Sequence, residues 1–192
     1  NDVFKFVDRR NQEEVAFLFA ARLLVSKGIQ EFIDASVMLK KKYPEIIFRI
    51  AGPFDSNDPE SITEELFSNF PNEIEYIGDI NYLKVHEILS NASVFVLPSY
   101  GEGLPKAVLE AGSTGLPLVL SDVPGCRDCI DAINRNGFLA NAHDSRDLAE
   151  KMERLILDKE LRLKQGMRSQ NYITKRFGNK TIQNEYLKLL DK

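Results

Sequence analysis

The sequence is short of the residues that build metal and redox centres. Its 192 residues hold only two histidines, His86 and His143, far apart and with no carboxylate spaced to join either in a ligand set. No metal is therefore expected. The two cysteines, Cys126 and Cys129, suit a reducing compartment. Long hydrophobic runs are missing too. The longest candidate, Val15 to Val25, is broken by Arg22 and falls well short of the roughly 20 residues of a membrane span. No secretory signal is visible. There is no basic excess: the formal net charge is −4, which argues against a nucleic-acid partner. Together these absences lead to the expectation of a cytoplasmic protein.

What is present suffices for one domain with a full core, at 43% hydrophobic residues. The first residue is Asn1 rather than Met, so the chain reads as a processed or excised piece of something longer. Residues 1–14 are charged and mostly aperiodic. They read as an interdomain linker or hinge. Residues 15–176 read as the domain proper, and 177–192 as a C-terminal helix packing back toward whatever preceded Asn1.

Within the domain, apolar runs of strand length alternate with helical patterns. Val15–Ala21, Ile46–Ala51, Glu73–Ile77, Ala92–Leu97, Leu116–Leu120 and Gly137–Leu139 read as strands, uninterrupted as in a sheet buried on both faces. Helices are expected over Gly28–Lys42, Glu60–Phe70, Tyr82–Asn91, the stretch after Pro105, Cys126–Ile133, Asp147–Leu157, Lys159–Arg176 and Asn179–Leu190. This alternation predicts an α/β fold: a doubly wound, Rossmann-like parallel sheet of about six strands. Right-handed crossovers gather the strand C-terminal ends on one edge, where ligands bind.

The richest segment lies on that edge. Ser99–Gly125 reads SYGEGLPKAVLEAGSTGLPLVLSDVPG. Pro105 suits a first helical position. The backbone at Gly103, Leu104, Lys106 and Ala107 then opens a helix N-terminus, a natural phosphate site. Gly103 permits close approach of a ligand. Glu110 sits among apolar and small neighbours, where a carboxylate is costly unless partnered. A ribose diol would satisfy it. Glu102 stands ready to accept hydrogen bonds from sugar hydroxyls. The plainer alternatives remain open at this point: Glu102 as a charge stabilising the helix dipole, and Glu110 as a surface residue.

The surroundings carry a resemblance. PSYGEGLPKAVLEAGSTGLPLVLSDVPGCRD resembles the signature of the retaining glycosyltransferases of family 4, with Glu102 and Glu110 as its glutamate pair. AARLLVSKG is similar to that family's segment carrying an arginine and a lysine, here Arg22 and Lys27. IAGPF, IEYIGDI and the tail ITKRFGNKTIQNEYLKL resemble further family segments in the same order. The resemblance runs from about Val15 to the end. It implies the C-terminal, donor-nucleotide-binding domain of a two-domain GT-B enzyme. By that resemblance Arg22 and Lys27 contact the donor diphosphate, Glu102 the donor sugar and Glu110 the ribose, with Gly103, Leu104, Pro105 and Lys106 along the phosphates. It implies a UDP- or GDP-linked sugar donor, a saccharide or lipid-linked acceptor, and no metal or other cofactor. It also implies an acceptor site mainly in a missing N-terminal domain, and possible peripheral contact with the inner face of the plasma membrane. Two departures stand out: Pro105 removes a backbone donor, and Ala51 replaces a glycine in the loop before Pro53.

Other motifs are discounted. Cys126 and Cys129 form a single C-x-x-C without a second pair. The basic residues of Lys159–Arg176 read first as a solvated face and second as a membrane-touching one. Two competing functions remain: a non-catalytic nucleotide- or partner-binding module, and another GT-B activity such as sugar-nucleotide epimerisation.

Overall fold

The computed structural model describes residues 4–63, 65, 67, 71 and 74–190. In chain order the elements are β1 (Ala16–Ala20), a 3-10 turn (Val25–Lys27), α1 (Ile29–Lys40), β2 (Ile47–Ala51) and β3 (Ile74–Tyr76). There follow α2 (Tyr82–Ser90), β4 (Val94–Leu97), α3 (Lys106–Ser113), β5 (Leu118–Ser121), α4 (Pro124–Arg127) and β6 (Gly137–Ala140). The chain closes with α5 (Ser145–Leu157), α6 (Lys159–Phe177) and α7 (Asn179–Leu190). The strands form one parallel sheet in the order β3-β2-β1-β4-β5-β6. The expected doubly wound α/β fold is present.

The reason is burial on both faces. Phe17, Leu18 and Phe19 of β1 are all buried, as are all four residues of β4 and of β5. Parallel register sets Phe17 beside Phe48, and their rings stack at 5.5 Å. Phe32 of α1 closes over Phe19 at 5.6 Å and meets Phe48 edge-on at 6.4 Å. Helix α1 packs against α5, while α3 packs against α6. The strand order reverses between β1 and β4, so the crevice for a ligand opens above their C-terminal ends.

Several boundaries differ from the sequence expectation for physical reasons. Pro105 precedes α3 as its extended N-cap residue (φ −71°, ψ 109°) rather than opening the helix. Its carbonyl accepts from the Val108 amide at 3.0 Å, so the helical residues begin at Lys106. Strand β5 starts at Leu118 because Pro117 has no N–H to donate to the ladder. The short helix expected over Cys126–Ile133 lies earlier, at Pro124–Arg127. Asp131 draws the amides of Ile133 and Asn134 into a turn instead. Helix α5 starts two residues early because Asp144 caps it through the Arg146 and Asp147 amides. Much of the helix expected over Glu60–Phe70, and Glu73 of the third strand, lie outside the described residues.

The segment 4–15 forms no helix or strand, but it is firmly docked. Phe4 is buried, and Arg9 is only 8% exposed. The Arg9 guanidinium donates to the carbonyls of Ala92 (2.8 Å), Leu89 (2.9 Å), Thr114 (2.8 Å) and Val7 (3.1 Å). It therefore caps the C-terminal ends of α2 and α3 together, where the helix dipoles favour a cation. Burial lowers its pKa to about 10.

Candidate functional site

Three loops meet at the C-terminal edge of the sheet, and close backbone packing holds them there. Gly28 adopts φ +74°, and a Cβ on it would overlap the Pro98 carbonyl, so glycine lets the β1–α1 loop lie on the end of β4. A Cβ on Gly125 would overlap the carbonyl oxygens of Glu102 and Gly103. Glycine there lets α4 press against the β4–α3 loop. Hydrogen bonds complete the joint. The Tyr100 amide donates to the Ser26 carbonyl at 2.9 Å, and Ser99 Oγ donates to the same oxygen at 3.1 Å. The Ser121 hydroxyl donates to the Ser99 carbonyl. Tyr100 also donates its hydroxyl to Glu31 at 2.8 Å and lays its ring against His143, 3.7 Å between centroids. Burial and Glu31 together push the Tyr100 pKa up.

This joint brings Lys27 and Glu102 together. Lys27 Nζ lies 2.7 Å from Glu102 Oε1, and both side chains are mostly buried. Arg22 projects from the same β1–α1 loop but turns to the β2–β3 connection. Its NH1 stands 3.2 Å from Asp55 Oδ2 and 3.3 Å from Asp58 Oδ2. Beyond Glu102 the backbone is open: a Cβ on Gly101 or Gly103 would meet nothing within 4 Å. The N-cap residue Pro105 makes no side-chain capping hydrogen bond at the N-terminus of α3. Leu104 is half-exposed beside it.

One turn into α3 lies Glu110, 8% exposed. Its Oε1 is buried and makes no hydrogen bond among the described residues. Lys106 Nζ is 3.8 Å away, an ion-pair distance rather than a hydrogen bond. Burial raises the Glu110 pKa, and Lys106 partly offsets the rise. The carboxylate borders a cavity of about 180 Å³ whose other walls include Ala21, Gly52, Pro53, Ile80 and Val85. An anionic acceptor thus faces a largely apolar pocket, one helical turn from open backbone amides. A ligand with a hydroxyl pair, a flat apolar face and a phosphate matches that combination.

Among the described residues no group of three or more His, Cys, Asp or Glu is arranged to hold a metal ion. Cys126 and Cys129 are free, fully buried thiols, and burial pushes both up to about 12. A thiol held there is no nucleophile at neutral pH. His86 is occupied with the docked N-terminal segment, accepting from the Lys5 amide at 3.3 Å. Sequence reasoning missed Asp55, Asp58 and Tyr82, whose ring carries Lys106 Nζ 4.8 Å from its centroid. It also missed Ser26 and Ser99, whose role is backbone bracing. Gly125 was the one legible signal, as a glycine in the loop after an apolar strand.

A family model for glycosyl transferases group 1 matches residues 1–172. The chain belongs to this family. Among curated relatives of this group 1 domain, one from Campylobacter jejuni is N,N'-diacetylbacillosaminyl-diphospho-undecaprenol alpha-1,3-N-acetylgalactosaminyltransferase. It is 35% identical over 177 residues, which is 91% of this chain and 44% of that protein. An Escherichia coli relative, UDP-Gal:alpha-D-GlcNAc-diphosphoundecaprenol alpha-1,3-galactosyltransferase, is 30% identical over 77% of this chain and 38% of its own length. The group 1 domain thus spans less than half the length of these relatives. In structure it superposes on sucrose-phosphate synthase from Thermosynechococcus elongatus with a TM-score of 0.85 at 22% identity, covering 99% of this chain and 49% of that one. It also superposes on the C-terminal domain of a group 1 family protein (LpcC) from Francisella tularensis. There the TM-score is 0.79 at 24% identity, covering 93% of this chain and 97% of that one. Its fold is that of the C-terminal domain of GT-B glycosyltransferases.

Proposed function

We propose that this domain is the donor-binding half of a retaining glycosyltransferase of family 4. It holds a nucleoside-diphosphate sugar whose sugar passes to an acceptor hydroxyl in bacterial polysaccharide or lipid-linked saccharide synthesis. The observation that carries the reading is Glu110: a buried carboxylate oxygen without a hydrogen bond among the described residues, at the wall of an apolar cavity beside the N-terminus of α3. A ribose diol supplies the missing donors, the cavity takes the base, and the α3 N-terminus takes the diphosphate. Supporting this, structures of similar fold are described with UDP and glucose or with UDP and GlcNAc, and the two relatives above act on diphospho-undecaprenol-linked saccharides by name.

In the reading proposed, charge growing on the departing diphosphate meets Lys27, Arg22 and the α3 amides, fixed dipoles and cations that need no metal. For Arg22 this requires exchanging Asp55 and Asp58 for phosphate. Glu102, held by Lys27, turns its second oxygen to donor-sugar hydroxyls. The donor phosphate takes the acceptor proton on the face the leaving group vacates, which retains anomeric configuration. The acceptor site belongs to a facing N-terminal domain of the longer parent, working in the cytoplasm against the membrane's inner face.

A thermal-shift panel of UDP, GDP and their sugars tests the reading. At least one should raise the melting temperature of this chain, and the Glu110→Ala variant should lose most of that rise. Equal shifts with and without Glu110 would remove the ribose assignment.

A further inference from the structure

Lys106 occupies a place that helix physics alone does not favour. It is the first residue of α3, at the positive end of the dipole, where a cation is disfavoured. Its partner Glu110 lies four residues on, the weaker order for such a pair. The side chain is 74% exposed, yet it is not loose. Its Nζ sits over the Tyr82 ring, 4.8 Å from the centroid, and 3.8 Å from Glu110 Oε1. A cation over an aromatic face is attracted by the ring's electrons. Tyr82 opens α2 and is itself buttressed: the buried Phe4 ring meets it edge-on at 6.0 Å. The seat for Lys106 is therefore built by two other parts of the chain.

We propose that Lys106 is a positioning residue for the donor: seated on Tyr82, it keeps Glu110 an anion turned into the cavity, ready to accept hydrogen bonds from a ribose diol. The proposal rests on the reading of Glu110 as the ribose-binding group. Among the described residues that line the cavity, Glu110 meets no cation. Asp79, in the turn before α2, lines the same cavity. From α2 the lining is Val85, Ile88 and Leu89, and from β1 and β2 it is apolar. Burial works against the anion, and among the described residues Lys106 is the cation that opposes it.

The test follows Glu110 itself. Carboxyl-13C-labelled protein is titrated by NMR, with the Glu110 signal assigned through Glu110→Gln. Lys106→Met should move the Glu110 midpoint upward. Tyr82→Leu, which removes the seat but keeps the lysine, should move it upward by less, and Tyr82→Phe, which keeps the ring, should leave it in place. In parallel, UDP-glucose affinity is followed against pH; its diphosphate diester does not titrate in the neutral range. Lys106→Met should lose affinity increasingly as the pH falls. An unmoved midpoint in Lys106→Met overturns the proposal. So does an affinity loss equal at every pH, which would make Lys106 a direct phosphate contact. If Glu110→Gln binds UDP-glucose as wild type does, the ribose reading itself fails, whatever the midpoint does. Circular dichroism of each variant confirms that the fold is kept.

Discussion

A carboxylate that is 8% exposed with an unbonded oxygen destabilises the fold that carries it. Replacing Glu110 with leucine should therefore raise the melting temperature while abolishing nucleotide binding. The pH dependence has a definite sign. The Glu110 pKa is raised in the folded state, so the native protein binds the proton more tightly than the unfolded chain. Wild type gains stability as the pH falls through that raised value toward the ordinary carboxylate range. The gap between wild type and Glu110→Leu should narrow on acidification, as measured by melting curves across pH. The Lys27–Glu102 pair behaves differently, because each partner satisfies the other. Lys27→Met should lower stability by about 1–2 kcal/mol in chemical denaturation, between the values for exposed and fully buried pairs. These residues were singled out in the sequence on different grounds: Glu110 as a glutamate among apolar neighbours, Arg22 and Lys27 by the family resemblance. Their partners were not. Nothing in the local sequence ties Arg22 to Asp55 and Asp58, or Lys106 to Tyr82, since those contacts arise only when separate sheet-edge loops converge.

At the scale of elements, strands were easier to read than helix ends. A run such as Val94–Leu97, buried on both faces, has no polar residue to blur it. Helix starts moved wherever a single cap decided them, as Asp144 does for α5 and the Pro105 carbonyl for α3. The 3-10 turn Val25–Lys27 was hidden because its three residues carry no periodicity. Arg9 was also silent in the sequence, one cation among several in a charged stretch. Its methionine variant would take the guanidinium from the Leu89, Ala92 and Thr114 carbonyls; Leu89 and Thr114 keep the Ala92 and Val7 amides as donors, and Ala92 loses its side-chain donor. The expected cost is about 2 kcal/mol, within the roughly 1–3 kcal/mol for one buried group left unsatisfied, a fall of about 4–8 °C in melting temperature for a chain of this size. Arg9→Lys should recover part of it, because a point charge reaches fewer carbonyls than a guanidinium fork. Gly125→Val tests the loop joint. The added side chain displaces α4 from the Glu102 and Gly103 carbonyls, and nucleotide affinity should fall although residue 125 touches no ligand.

On the scale of the whole molecule, the chain is a layered α/β fold with three loops joined at the C-terminal edge of its sheet, and its relatives are more than twice as long. The fold was legible because strand–helix alternation admits few topologies. In the reading proposed, this domain binds the donor alone and transfers little without the facing domain. Robust transfer to acceptor by the purified chain would contradict that division of labour. The most direct test of the central claim is a calorimetric titration of UDP and GDP into wild type and Glu110→Gln, with both proteins shown to be folded. Wild type should bind one of the two, and the variant should bind it roughly 10- to 100-fold more weakly, as expected for losing about 1.5–3 kcal/mol of charge-assisted hydrogen bonding. Equal affinity in the two proteins, or no binding of either nucleotide by wild type, would contradict it.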